Sequence, residues 1–113
     1  LRVRIVHVVG GAAARLERSA GGQGVVVTTG QQPGLFGGPV YTWSKALSAL
    51  ALADAIERET GIPAAPLFWA ATDDADLAEA SETWVALPGG AERLTMAGDA
   101  PEGTPMARVP LPD

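Results

Sequence analysis

Residues 28–47 read TTGQQPGLFGGPVYTWSKAL, and the fold turns on them. Just upstream and into this stretch, Val25-Val26-Val27-Thr28-Thr29 is an apolar run without alternation, the pattern of a strand covered on both faces in a parallel sheet. Gly30 ends that run, and four glycines and two prolines fall in the eleven residues from Gly30 to Val40. From Val40 to Glu59 no Gly or Pro intervenes. Trp43, Leu47 and Leu50 recur there at helical spacing, with Ala46, Ala49, Ala53 and Ile56 beside them. Pro39 suits a first helical turn, where its missing N–H is not needed, and Gly61 followed by Pro63 is a stop signal. Strand, glycine-rich loop and long helix together predict the opening of an α/β unit.

Working outward, Ala64–Ala70 (AAPLFWA) predicts a second buried strand. Asp76 and Glu79 stand at the spacing of an N-cap and its N3 partner, so a short helix is expected there. Thr83–Leu87 predicts a third strand, Pro88-Gly89-Gly90 a turn, and Arg93–Met96 a returning hairpin strand. Upstream, Val3–Val9 is a β-branched stretch that suits a strand, and Ala12–Ser19 a short helix stopped by Gly21-Gly22. Residues 98–113 are rich in Pro, Gly and acids. They are expected to be a linker or a truncated connection, with a brief edge strand at Arg108-Val109. The element order predicts a single α/β domain with right-handed crossovers, a mostly parallel sheet and a C-terminal hairpin.

The bulk composition narrows the function. The chain has 113 residues, of which 47% are apolar but only 5% aromatic, and alanine supplies much of the apolar count. Trp43, Trp69, Trp84, Phe36 and Phe68 are the expected bulky members of a thin core. Net charge is −5 without a basic run, so no electrostatic footprint for nucleic acid exists. No cysteine is present, which removes disulfides, thiolate metal sites and a cysteine nucleophile, and a single histidine, His7, argues against a histidine triad or a multi-histidine metal site. A cytoplasmic location fits the absence of cysteine. No run of 18 apolar residues suggests a membrane span. The chain starts without Met, and Arg2, Arg4 and His7 interrupt its apolar opening; this reads as the start of a fragment rather than a targeting segment.

Two constellations carry chemistry. In the loop, Gly30-x-x-x-Gly34-x-x-Gly37-Gly38 matches neither the dinucleotide fingerprint nor the Walker A loop. Glycines between a strand and a helix N-terminus still suit backbone amides aimed at a phosphate or carboxylate, and Gln31 and Gln32 offer amides to a polar ligand edge. Tyr41 has a hydroxyl to donate, and Lys45 lies about two turns into the helix. A plain structural turn accounts for the same pattern. The second constellation is Thr72-Asp73-Asp74-Ala75-Asp76, directly after the second strand, with Glu79 following. Ligands of open α/β sheets sit beyond such strand ends. Carboxylates there suit Mg²⁺, a ribose or an amine, or a general base, while acids at a helix start are also favoured by its dipole alone.

At this point the residues suggest a family. TGQQPGLFGGPVYTWSKALSALALA, Thr29–Ala53, resembles the signature region of the bacillithiol-biosynthesis cysteine-adding enzymes (BshC). PLFWAATDDADLAEA, Pro66–Ala80, resembles that family's second segment. Good resemblance covers roughly residues 15–87. It implies a Rossmann-like three-layer core, here partly truncated, because family members are several times longer and add a helical coiled-coil region. It implies a ligase that joins cysteine to glucosaminyl malate through a C–N bond, making a low-molecular-weight thiol. Forming that bond needs a good leaving group, so a nucleotide such as ATP or ADP is compatible, although no residue marks one and no metal site is assigned.

On that resemblance the loop is read as ligand-holding, with Gly30, Gln31, Gln32 and Gly34 lining the pocket and Gly37 and Gly38 letting the helix approach it. Tyr41, Lys45, Thr72 and Asp73 join them as substrate- or nucleotide-binding residues, and Asp74 and Asp76 are the catalytic candidates. One departure stands out. Where the family has Ser-Glu-Asp-His-Asp-Phe, this chain has Ala75 in place of the histidine, so a proton carrier is missing. A non-catalytic α/β binding module is the competing reading. Strand edges left bare in a fragment predict a homodimer or aggregate.

Overall fold

A computed structural model describes residues 11–110. The strand expected at Val3–Val9, and His7 within it, lie outside the described residues. The elements in chain order are α1 (Ala12–Ala20), β1 (Val25–Gln31), a 3₁₀ turn (Leu35–Gly37), α2 (Val40–Thr60), β2 (Ala64–Ala70), α3 (Leu77–Ala80), β3 (Glu82–Leu87), β4 (Gly90–Thr95) and a second 3₁₀ turn (Met106–Arg108). The second turn replaces the edge strand expected at Arg108-Val109. There, Arg108 and Val109 donate their N–H groups to Pro105 and Met106, locally rather than across a ladder.

β1 and β2 pair, and the pairing is parallel. Val25 N–H donates to Pro63 O at the start of both strands, and Ala71 N–H donates to Gln31 O at the end of both. Odd-numbered residues of β2 therefore turn their backbone groups toward β1. Pro66 faces the other edge, so its missing N–H costs this pairing nothing and blunts the edge it occupies. β3 and β4 form an antiparallel hairpin from Glu82↔Thr95 to Leu87↔Gly90. Pro88 and Gly89 connect it, and Gly89 at φ +98° is the glycine that a Pro-Gly type II turn requires.

The chain divides into two compact units, residues 11–29 with 46–68 and residues 30–45 with 69–110. In the first, α1 ends where Gly21 N–H caps Glu17 O, and a Cβ on Gly24 would overlap the Ser19 backbone. Arg15 is the tie. Its Nε donates to Ala64 O at 3.0 Å, and its guanidinium pairs with Asp54 at 2.6 Å and Glu57 at 3.5 Å. Ala49 and Ala53, one helical turn apart on α2, and Ala64 and Ala65 on β2 are the buried apolar residues of this unit.

The bulky aromatics expected in the core are instead exposed. Phe36 is 74% accessible, Trp43 60% and Trp84 65%, and Trp69 and Phe68 are also open. For Trp43 the reason lies in α2, which is apolar around its circumference: Ala49 and Ala53 are buried while Trp43, Leu47, Leu50 and Leu52 are exposed. β1 is likewise not covered on both faces; Val25 and Val26 are open to solvent.

In the second unit Ala80, the last residue of α3, is buried. Residues 104–109 return to the segment after β2, where Met106 and Ala107 donate N–H groups to Asp74 O and Thr72 O at 2.8 and 2.9 Å.

Candidate functional site

All the sequence-derived site residues fall in the second unit. The loop is shaped by contacts within itself. A Cβ on Gly30 would stand 2.6 Å from Trp69 O, and one on Gly34 would stand 2.8 Å from Gly38 Cα. Gly37 and Gly38 have φ of +92° and +78°, in the left-handed region that glycine occupies without steric cost. Phe36 also has positive φ, +53°, which is strained for a bulky residue and holds its ring outward. The Gly37 and Gly38 amides donate to Gly34 O and Leu35 O, both at 3.0 Å, so the turn itself uses them. Thr42 Oγ1 is buried without a hydrogen-bond partner.

A side-chain network stands at the start of α2. Lys45 Nζ donates to Gln31 Oε1 at 2.8 Å and lies 3.4 Å from Gly30 O. With its oxygen so engaged, Gln31 turns its Nε2 to Gln32 Oε1 at 2.6 Å and to the Tyr41 hydroxyl at 3.3 Å. The Lys45 ammonium also sits 5.2 Å from the Tyr41 ring centroid, within cation–π range. Lys45 reaches the loop because helical side chains lean toward the N-terminus. Tyr41 and Lys45 are exposed while Gln31 and Gln32 are half-buried; the cluster carries one positive charge and has hydrogen-bonding capacity left over, since an ammonium has three donors.

The acidic turn is arranged differently. Asp76 accepts from Glu79 N–H at 2.9 Å, which is the expected cap of α3. The reciprocal half of a capping box is missing, because Asp76 N–H donates to Asp74 Oδ1 at 2.9 Å. Both catalytic candidates thus hold backbone groups of their own turn. Asp73 and Ala75 are exposed on the same turn. Among the described residues, no three His, Asp or Glu side chains gather as a metal site.

Among the described residues of this unit, two clefts bear on the candidate site. One, of about 270 Å³, is lined by Pro33, Gly34, Leu35 and Phe36 of the loop together with Thr72, Ala80, Met96 and Met106. It brings Gly34 and Thr72 together, as expected for two segments that follow paired parallel strands, but does not include Asp73, Asp74 or Asp76. The other, of about 380 Å³, is lined by residues 38–41 and by Glu79, Glu82, Thr83 and Trp84. It takes in Gly38 and Tyr41 among the expected residues. Glu82 and Trp84 are additions from β3; the alternation of that strand places both on one face.

No helix among the described residues is long and apolar enough to cross a membrane. Residues 7–112 match the family model for the N-terminal Rossmann-like domain of the bacillithiol biosynthesis protein BshC. Three relatives carry the name "Putative cysteine ligase BshC". The one from Desulforamulus reducens is 35% identical over 92 residues, covering 81% of this chain and 17% of that protein. The one from Geobacillus sp. (strain WCH70) is 39% identical over 89 residues, covering 79% of this chain and 16% of that protein. The one from Solibacter usitatus is 54% identical over 61 residues, covering 54% of this chain and 12% of that protein. The aligned part is thus under a fifth of each relative's length. With a strand, glycine loop and helix in the order of a Rossmann-like domain and the match spanning nearly its whole length, this chain belongs to the BshC family of bacillithiol biosynthesis, in the region of its N-terminal Rossmann-like domain.

Proposed function

We propose that this chain contributes the loop-and-helix substrate site of a cysteine ligase that joins cysteine to glucosaminyl malate by a C–N bond, in the cytoplasm. The observation that carries the reading is the Lys45 ammonium, held 2.8 Å from Gln31 Oε1 at the N-terminal end of a 21-residue helix. A positive charge, adjacent amides and a helix N-terminus favour a carboxylate or phosphate. The malate carboxylates, or the phosphates of ATP or ADP, have that chemistry. In this reading Gly30, Gly34, Gly37 and Gly38 shape the loop, Gln31, Gln32, Tyr41 and Lys45 meet the ligand, and Thr72 and Asp73 approach it from the segment after β2.

Asp74 and Asp76 are proposed as the acid–base pair, freed from their turn when substrate arrives. A non-catalytic binding module is favoured by two observations together. Ala75 stands where the family motif has histidine, and each of the two aspartates has one oxygen held by a backbone N–H group. Small molecules are the proposed partners, not nucleic acid or membrane. Bare apolar surface such as Trp43 and Leu47 supports a homodimer.

Melting curves with ATP and with glucosaminyl malate test the site. Binding to the folded state at 100 times Kd raises stability by about 2.7 kcal/mol. The expected result is a rise with at least one of the two that is lost in Lys45→Met; no rise with either removes the site reading. Thiol profiles of cells with and without the gene test the ligase reading separately, since a binding module leaves bacillithiol unchanged.

A further inference from the structure

Phe36 stands apart in the loop after β1 on two counts. Its backbone is left-handed, at φ +53° and ψ +29°, and its ring is 74% accessible. With Gly37 at φ +92° and Gly38 N–H bonded to Leu35 O at 3.0 Å, residues 35–38 have the form of a type I′ turn. Asn-Gly is the pair at home in the centre of such a turn, whereas a Phe there brings its Cβ close to the following carbonyl oxygen. Beside the turn lies the cleft of about 270 Å³, with Phe36 in its lining. Pro33, Leu35 and Ala80 contribute to its wall, and so do Met96 and Met106, the only two methionines of the chain. Thioethers make favourable contacts with aromatic rings and adapt to irregular space. A further cost sits next to the turn: Thr42 Oγ1 is buried without a hydrogen-bond partner, 3.3 Å from where a Cβ on Gly38 would stand.

We propose that residues 35–38 switch between two turns and that Phe36 is the lid of this cleft. In the state described above the ring stands outward. In the second state the same four residues form a type II turn. That turn keeps the closing bond from Gly38 N–H to Leu35 O and the positive φ of Gly37, but places Phe36 at negative φ. The ring then folds in between Met96 and Met106, which removes apolar surface from water and the left-handed strain together. The rotation at Phe36 turns the Gly37 N–H away from Gly34 O, so one hydrogen bond is given up against those gains. Opposed terms of similar size leave both states populated. Movement of Gly38 also uncovers the Thr42 hydroxyl. None of these residues belongs to the Gln31–Lys45 network, so the switch stands whether or not that network binds a ligand.

The test is NMR on the ligand-free 113-residue chain, isotope-labelled at its methionine methyls and backbone amides. The methyls of Met96 and Met106 report the cleft, and the Gly38 amide reports the turn. Relaxation dispersion is expected to show microsecond-to-millisecond exchange at both methyls and at Gly38 with one shared rate. The minor state is expected at about 0.1–10%, with its methyls displaced by the ring current of Phe36. Phe36→Asn suits the type I′ turn and is expected to abolish the exchange while keeping the major-state Gly38 shift. Phe36→Pro fixes a negative φ at the position where type II turns favour proline, and the Phe36 N–H has no hydrogen-bond partner to lose among the described residues. That variant is expected to move the Gly38 amide to the minor-state position. Absence of exchange in the unaltered chain overturns the switch. Exchange at Gly38 but not at the methyls overturns the lid, since the turn then moves without the ring reaching the cleft. Exchange that persists unchanged in Phe36→Asn also overturns it, because left-handed strain is then not what drives the motion.

Discussion

The segments after β1 and after β2 both place polar side chains where ligands of parallel sheets bind, and they employ them in opposite ways. At the end of β1, half-buried Gln31 bonds to both Tyr41 and Lys45, which stay exposed. After β2, Asp74 and Asp76 bond to the backbone of their own turn. The first segment keeps unused donors on an ammonium with no ion-pair partner among the described residues, whereas in the second one carboxylate oxygen of Asp74 and one of Asp76 are held by their own turn. Local backbone bonding by Asp competes with any other task for the same oxygens. A motif rich in carboxylates is therefore a weaker sign of catalysis than its composition suggests.

The largest effect expected from breaking this contrast is at Gly30, which joins β1 to the polar network. Gly30→Val would drive a side chain into Trp69 O, 2.6 Å from the Cβ position. Overpacking of that kind costs about 1–3 kcal/mol, and backbone oxygen cannot move as a flexible side chain can, so the upper end is expected. Denaturant melts should show a marked loss of stability; an unchanged midpoint would mean that β1 and β2 separate here at little cost.

Next is Lys45→Met, which removes the charge but keeps the stem. Melting temperature without ligand is expected to change little, because exposed pairs contribute little. Affinity for a carboxylate or phosphate ligand is expected to fall by about tenfold, the loss of one charge-assisted hydrogen bond of about 1.5 kcal/mol. Isothermal titration distinguishes this from an effect on folding. Unchanged affinity would place the network among structural contacts, on a par with the acidic turn.

Much of this contrast is legible in the sequence, and the unread part has a physical cause. Pro39 and Gly61 bracket α2 to within a residue of its observed ends, and the Ala64–Ala70 run matches β2. The Asp76–Glu79 spacing gives the cap of α3. These signals are local: a missing N–H, a left-handed residue, a side-chain acceptor at a fixed offset. Which face of α2 packs is not local. When Trp43, Leu47, Leu50 and the alanines ring the helix, periodicity names no face, and bulk alone misleads toward the aromatics. The inward lean of Lys45 follows from the tilt of helical Cα–Cβ bonds and needed only that rule. The left-handed Phe36 carries no sequence signal, since aromatic residues rarely adopt that conformation.

A smaller effect is expected at the cap. Asp76→Ala removes the acceptor for Glu79 N–H and should cost about 1 kcal/mol, roughly 5 °C in a domain of this size. Asp76→Asn keeps an acceptor oxygen and should restore most of it. If both variants lower stability equally, the carboxylate charge matters and not the cap. If neither does, α3 is held by Ala80 burial alone, and Asp76 is free for the acid–base role.

The smallest effect on stability, and the one that bears most on function, is at Ala75. The residue is exposed, and its carbonyl accepts from Leu77 N–H at 3.0 Å, a bond that does not involve the side chain. Ala75→His is therefore expected to shift stability by no more than about 0.5 kcal/mol. It would place an imidazole, able to titrate near neutral pH, between two aspartates that each have one oxygen committed to the backbone. NMR titration of the new ring reads the outcome directly. A titration midpoint raised by the neighbouring carboxylates would show that their charge is felt at this turn even while they cap it, and the acidic turn would then carry a group that exchanges protons near neutral pH. A midpoint at the ordinary histidine value would show a solvated turn, leaving the Gln31–Lys45 network as the remaining candidate of the two segments.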